Sequence, residues 1–357
     1  MSEPLTIRPA TAADEARWDA YVLAHPASEK HHLWGWRRVI ERTFGHATPY
    51  LLAEGQGGAV AGVLPLAQVK SLLFGNHLVS LPFCNYGGIL AGSPEAERAL
   101  FEEAVGLATR LGASQLELRH LNPLAWFEEC RANGGAAHYS TRRHKVSMRL
   151  ALPETPDALW ESFKSKLRSQ VRKPAKEGCT AAIGGMELMA DFYRVFAENM
   201  RDLGTPVYPV TLFENVMAEF GGTSHICCVY HAGSPVAAGL VVGFKERLEI
   251  PWASSLRSHN SLAPNMLLYW SLLEFACRSG YRTFDFGRST AGASTHRFKE
   301  QWGARPVELS WHCWSQNAAP ADLSPGNKKF ELAIAVWRHL PLKLANNLGP
   351  SIVKYLP

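Results

Sequence analysis

Five titratable side chains crowd into the stretch from Asp285 to Lys299: Asp285, Arg288, His296, Arg297 and Lys299. They belong to the segment 284–303, FDFGRSTAGASTHRFKEQWG. A buried strand is expected to end at Asp285 and Phe286, Gly287 to let the chain turn, and helix to resume near Thr295. A strand end that opens into a loop of small polar residues is a common ligand site in an α/β sheet. The carboxylate or the imidazole could accept or relay a proton, and the three cations could hold an anionic donor or acceptor. Tyr269, on the preceding helix, could protonate a leaving group. The alternative is an ordinary connection in which the aspartate caps backbone amides.

Other segments carry weaker signals. Residues 251–265, PWASSLRSHNSLAPN, join a strand to the helix bearing Tyr269 and offer Trp252, Arg257 and Asn265 as binding groups. Asn85-Tyr86-Gly87-Gly88 stands at the matching place in the first half, where glycines allow close backbone approach. A helix predicted over 156–173 sets Trp160, Phe163, Leu167 and Val171 in one apolar stripe. Beside it Lys164, Arg168 and Arg172 recur every fourth residue, with Lys173 next to them, and Pro174 is expected to stop or kink the helix. Such a face is either merely solvated or a docking surface for phosphates. In the tail, Phe330, Ile334, Trp337, Leu340 and Leu344 recur at helical spacing among Lys328, Lys329, Arg338 and Lys343. That pattern suits packing onto the protein body, or contact with an anionic membrane surface.

The elements that must position these groups repeat. Each half reads as helices, then a hairpin (49–69 in one, 224–244 in the other), a strand, a helix (94–111 and 264–278) and a further strand (115–119 and 283–286). Arg110-x-Gly112 with Glu117 recurs 168 residues later as Arg278-x-Gly280 with Asp285. The same offset sets Leu116 on Phe284 and Leu118 on Phe286. A helix ending near a glycine and feeding a buried strand accounts for both. The prediction is two similar mixed α/β domains, 1–150 and 151–317, followed by a tail, 318–357.

Several chemistries lack their motifs. Asp285-Phe286-Gly287 has no kinase glycine loop, lysine strand or catalytic loop with it. The glycines at 55–62 match neither a dinucleotide fingerprint nor a phosphate loop ending in GK[ST]. The 14 histidines show no zinc-ligand spacing, so no metal is expected. Seven cysteines, an odd number without CxxC, argue against a disulfide framework. Net charge is +5, too mild for a dedicated nucleic-acid module but suited to anionic ligands. No secretory leader and no spanning run of about 18 apolar residues is read, so a cytoplasmic protein is expected.

Taken together, PFCNYGGIL, KSKLRSQVRKPAKEG, FDFGRSTAGASTHRFKEQWG with ARPVEL, and WRHLPLKLANNLGP resemble the FemAB-like family, in the branch associated with the exosortase/PEP-CTERM system. The resemblance implies two tandem GNAT-like domains and an acyl- or aminoacyl-transferase acting on a cell-envelope or exopolysaccharide precursor. It implies no tightly bound cofactor, with acyl-CoA or aminoacyl-tRNA as donor, tRNA as a partner, and peripheral inner-membrane contact through the tail. On it, Lys164, Arg168, Arg172, Lys173 and Arg257 would bind the donor or its phosphates. Arg288, Arg297, Lys299, Trp252, Asn265, Asn85 and Tyr86 would bind substrate, and Asp285, His296 and Tyr269 would serve the chemistry. The sequence departs from acetyl-CoA-dependent GNAT domains, which cradle pyrophosphate with an R/Q-x-x-G-x-G/A loop: residues 254–264 offer Arg257 but no glycine. A non-catalytic adaptor that keeps the fold, or an RNA-binding protein without chemistry, are the competing readings.

Overall fold

The computed structural model describes residues 5–71, 74–132, 138–316 and 331–356. Two compact units emerge. Among the described residues one holds 5–145, 308–316 and 354–356, and the other holds 146–307 and 331–353. The expected division set the tail apart, whereas its described residues fall within the two units, and two further places differ. Residues 146–150 open the second unit, and the strand at 310–315 returns to the first.

The first unit contains β1 (Thr6–Pro9), α1 (Glu15–Ala24), α2 (Gly35–Phe44), β2 (Leu51–Glu54), β3 (Val60–Leu64), β4 (Ala67–Ser71), β5 (Gly75–Val79), β6 (Leu90–Ala91), α3 (Pro94–Arg110), β7 (Gln115–His120), α4 (Ala125–Ala132) and β8 (Tyr139–Arg142). The late strand β16 (Ser310–Ser315) inserts between β7 and β8, giving a sheet of order β4-β5-β7-β16-β8 beside a smaller one, β1-β2-β3-β6. The strand expected over 59–69 breaks at Pro65, whose missing N–H cannot continue a ladder, so β3 and β4 enter different sheets. Ser93 caps α3 by accepting the Ala96 N–H at 3.2 Å, with Pro94 in the first turn. Leu100, Phe101, Ala104 and Ala108 then form its buried stripe.

The second unit contains β9 (Lys145–Ala151), α5 (Pro156–Ser162), α6 (Ser165–Lys176), β10 (Cys179–Gly184), α7 (Met189–Leu203), α8 (Val210–Phe220), β11 (Ser224–His231), β12 (Ser234–Phe244), β13 (Arg247–Ser255), α9 (Pro264–Arg278), β14 (Thr283–Thr290), α10 (Ser294–Glu300) and β15 (Arg305–Glu308). Its sheet runs β10-β11-β12-β13-β14-β9-β15. The single helix expected over 156–173 is two helices. Phe163 and Lys164 are extended (ψ 140° and 147°), and the Ser162 hydroxyl bonds back to the Leu159 carbonyl at 2.6 Å, ending α5. The turn lets Phe163 and Leu167 both reach the core. Pro174 does not stop α6, which runs to Lys176. Near the C-terminal end the ring forfeits a single backbone bond.

The duplication is visible at atomic level. At the end of α3, Leu111, Gly112 and Ala113 donate to the carbonyls of Leu107, Thr109 and Ala108. At the end of α9, Ser279, Gly280 and Tyr281 donate to Phe275, Cys277 and Ala276, each 168 positions on. Gly112 and Gly280 both take positive φ, 64° and 78°, as the reversal requires. The strand after each helix then pairs parallel to an earlier one for three residues: Gln115 to Glu117 on His77 to Val79, and Thr283 to Asp285 on Arg247 to Glu249.

In the tail, Pro341 separates α11 (Glu331–Arg338) from α12 (Leu342–Val353). Both pack onto the second unit. Arg201 donates to the Leu340 carbonyl at 3.1 Å, and a Cβ on Gly204 would come within 2.6 Å of Ile334. Ala345, Gly349 and Val353 form the buried stripe of α12, whereas Leu344, expected inside, is 44% exposed. Phe330, Lys328 and Lys329 lie outside the described residues. Among the described residues no helix is long and apolar enough to cross a membrane.

Candidate functional site

In the second unit β13 and β14 pair only as far as Glu249 and Asp285. Beyond that point β13 continues on β12 to Ser255, and β14 continues to Thr290. The two parallel strands therefore part, leaving a wedge whose facing backbone groups are not paired with each other. An extended, amide-bearing ligand can satisfy such groups.

Asp285 stands at the point of the wedge and is fully buried. Its Oδ1 accepts from the Ser147 hydroxyl at 2.7 Å and from the Gly287 N–H at 2.8 Å, and its Oδ2 accepts from Arg149 Nε at 3.0 Å. Ser147 and Arg149 come from β9, two residues apart on the face opposite Val146, Met148 and Leu150, which enter the core. Asp285→Ala is expected to destabilise the protein by about 3–5 kcal/mol, because it breaks a buried ion pair and three hydrogen bonds at once. Urea unfolding measures this, and a loss below about 1 kcal/mol, the level of an exposed pair, would contradict it.

Lys299 is a further buried charge, 7% exposed. Its Nζ donates to the carbonyls of Gly287 at 3.1 Å and Arg288 at 2.9 Å, just past the start of the wedge. Burial lowers its pKa to about 8, against the opposing pull of Asp285 and Glu249. Gly287 is thus tied twice, its N–H to Asp285 and its carbonyl to Lys299. Its φ of 71° makes this place costly for any side chain.

The other expected residues are distributed as follows. His296 is buried on α10, three residues before Lys299, with Nδ1 3.4 Å from Glu300 Oε2. Arg288 and Arg297 are exposed. Tyr269 lies in an aromatic group, with ring centroids 5.5 Å from Phe286 and 5.1 Å from Phe298, and burial raises its pKa. Trp252 is buried edge-on to Phe213 at 5.2 Å. Asn265 is half-buried in the first turn of α9, and Arg257 is exposed at the start of a 3-10 turn, 257–262, that precedes it. Arg168 pairs with Glu161 at 2.7 Å, Arg172 lies over the Trp160 ring at 5.0 Å, and Lys164 and Lys173 are exposed. Asn85 and Tyr86 belong to the first unit, where the Asn85 carbonyl accepts from the Trp311 indole at 3.2 Å and Tyr86 is buried against His31 at 4.8 Å. Asp285, Arg288 and Lys299 are therefore brought together around Gly287.

Ser147, Arg149 and Glu249 are additions that the sequence reading missed. Alternation of polar and apolar residues in KVSMRLA, 145–151, is the signal that marks a strand with one polar face.

A mixed sheet whose central parallel pair parts, with a helix crossing between the strands, defines a GNAT-like α/β domain. Residues 161–300 match the acetyltransferase (GNAT) domain family. Among solved structures, the crystal structure of FemX is similar over 85% of this chain and 96% of its own, with TM-score 0.64 and 16% identity. A tandem GNAT protein from the clavulanic acid biosynthesis pathway is similar over 89% and 100%, with TM-score 0.55 and 18% identity. The C-terminal domain of a putative lysylphosphatidylglycerol synthetase from Agrobacterium fabrum is similar over 85% and 92%, with TM-score 0.55 and 11% identity. These likenesses show the fold. A sequence search of curated proteins gives no match.

Proposed function

We propose that the second unit transfers an acyl group, aminoacyl groups included, from an activated donor to an amine or hydroxyl. The observation that carries this reading is the parting of β13 and β14 beside the buried Lys299 ammonium. An amide-bearing donor arm lying in the wedge would place its carbonyl near that cation. The nucleophile's lone pair attacks the carbonyl carbon, charge builds on the oxygen, and the bond to the leaving group breaks. Lys299 spends two N–H bonds on backbone carbonyls and keeps a third for the developing charge. His296, on the same helix, takes the nucleophile's proton. Asp285, already accepting three bonds, holds β14 in place.

Acyl-CoA is the first donor to test, because its pantetheine arm carries amides that match unpaired strand edges. Aminoacyl-tRNA is the second, favoured by the exposed Lys164 and Lys173 and by a 3-10 turn, not a glycine loop, ahead of α9. The FemAB-like motifs support a cell-envelope or exopolysaccharide precursor as acceptor, with a non-catalytic adaptor as the alternative role. Thermal melts with coenzyme A and a series of acyl-CoAs are expected to give a saturable rise. A ligand at a hundred times its Kd adds about 2.7 kcal/mol of stability. Mass spectrometry then detects transfer to amine acceptors. No rise with acyl-CoA but transfer from charged tRNA would change the donor, and no transfer from either would leave the adaptor.

A further inference from the structure

The first unit repeats the wedge and fills it. Its parallel pair, β5 and β7, also stops after three residues, at Val79 and Glu117. The position 168 before Gly287 is Arg119. β7 itself runs on to His120, paired there with β16, whereas the segment that follows β5, residues 80–87, turns away. It folds back so that Ser80 N–H donates to the Glu117 carbonyl at 2.8 Å, Arg119 N–H to Ser80 Oγ at 2.8 Å, and Gly87 N–H to the Arg119 carbonyl at 3.0 Å. Beyond the parallel pair, the first unit thus satisfies this strand edge with backbone and a serine hydroxyl from the turn after β5.

The guanidinium completes the closure. Arg119 is 3% exposed. Its Nε and Nη2 each lie 2.8 Å from Glu117 Oε1, and its Nη1 donates to the Cys84 carbonyl at 2.8 Å. Its flat face lies over the Trp311 ring at 4.4 Å, so the planar cation is held from above as well as at its edge. The other oxygen of Glu117 takes Arg142 at 3.3 Å. Glu117 is the counterpart of Asp285, but its partner Arg119 replaces a glycine. The side chain that glycine lacks ties the turn at Leu81 and Cys84 to β7.

We propose that Arg119 locks the first unit's wedge, so that the chain binds one donor, in the second unit. This rests on the donor reading above, and the test separates the two. Native mass spectrometry of the full chain with coenzyme A or an acyl-CoA is expected to show one ligand per chain; two would overturn the lock. Hydrogen exchange of the ligand-free chain tests it independently, with slow exchange expected at Ser80, Gly87 and Arg119. The double variant R119G/E117Q, which leaves no lone buried carboxylate, is expected to exchange there roughly tenfold faster or more, with 283–290 unchanged. If no coenzyme binds, the donor reading falls and the exchange arm still decides. Exchange at Ser80 and Gly87 as fast as in exposed loops of the wild type overturns the lock.

Discussion

Replacing Lys299 with methionine is expected to lower turnover by roughly 10²–10³-fold while the chain stays folded. The two halves of that expectation have separate causes. Burial takes the lysine pKa from 10.5 to about 8, so holding the cation inside costs about 3 kcal/mol at roughly 1.4 kcal/mol per unit. Methionine relieves that cost but leaves the Gly287 and Arg288 carbonyls without their donor, at about 1–3 kcal/mol for each group. The two effects oppose each other, so Tm should move little. The wild-type rate should fall as pH passes about 8, because the ammonium is the working form. A rate that rises through this range would mean that the neutral amine acts as a base, and a fully active methionine variant would remove Lys299 from the chemistry altogether.

The first unit should lose stability steeply between pH 6.5 and 4. His32, His120 and His312 are buried there, and each uses a ring nitrogen to accept a backbone N–H, from Glu29 at 3.0 Å, Ile89 at 3.3 Å and Leu124 at 3.0 Å. The rings of His120 and His312 lie 5.7 Å apart. Glu128, 4.0 Å from His312, pulls its pKa up, and Arg143 pulls it down. His25 adds a lowering charge beside His32. Burial outweighs these and brings His32 and His312 from 6.5 down to about 4, with His120 well below its ordinary value. A depressed histidine is neutral in the folded chain while the unfolded chain takes up protons below 6.5. Stability is therefore full above 6.5 and drains as pH falls towards 4, by about 3 kcal/mol for each of His32 and His312. Since whole domains hold only about 5–15 kcal/mol, the loss should be visible as a falling Tm and loss of near-UV signal. A glutamine at 312 should flatten the slope by about one proton. A Tm constant from pH 6.5 to 4.5 would refute the account.

The repeat was legible because its cues are local. A helix of apolar period 3.6 ends at a glycine that must take positive φ, and a hydrophobic strand begins three residues later, as at Gly112 and Gly280. Gly287 and Lys299 were legible for the same reason, lying within one short segment. What escaped is what depends on distant chain. Ser147 and Arg149 meet Asp285 across more than 130 positions, and nothing near residue 285 reveals them. The break at Phe163 escaped because the apolar stripe of 156–173 continues through it. Two short helices with a turn present nearly the same pattern as one long helix, and only burial of Phe163 beside Trp302, 5.6 Å away, decides between them. Trp252 and Tyr86 were read as binding groups from the loop segments that hold them and the family resemblance, and the structure finds both buried, against Phe213 and His31.

The placement of β16 bears on synthesis as well as on architecture. β8 reaches the sheet of the first unit only through β16, and β7 lacks its second neighbour until Ser310–Ser315 has been made. About 190 residues separate His120 from Ser310, which at ribosomal speed is on the order of 10–40 s. Throughout that interval a nascent chain would carry an open strand edge in its first domain while the whole core of the second emerges. Truncation near residue 307 would make the exposure permanent, and such an edge invites pairing with other chains. Translation speed and chaperone supply, beyond intrinsic stability, should therefore govern the yield of this protein.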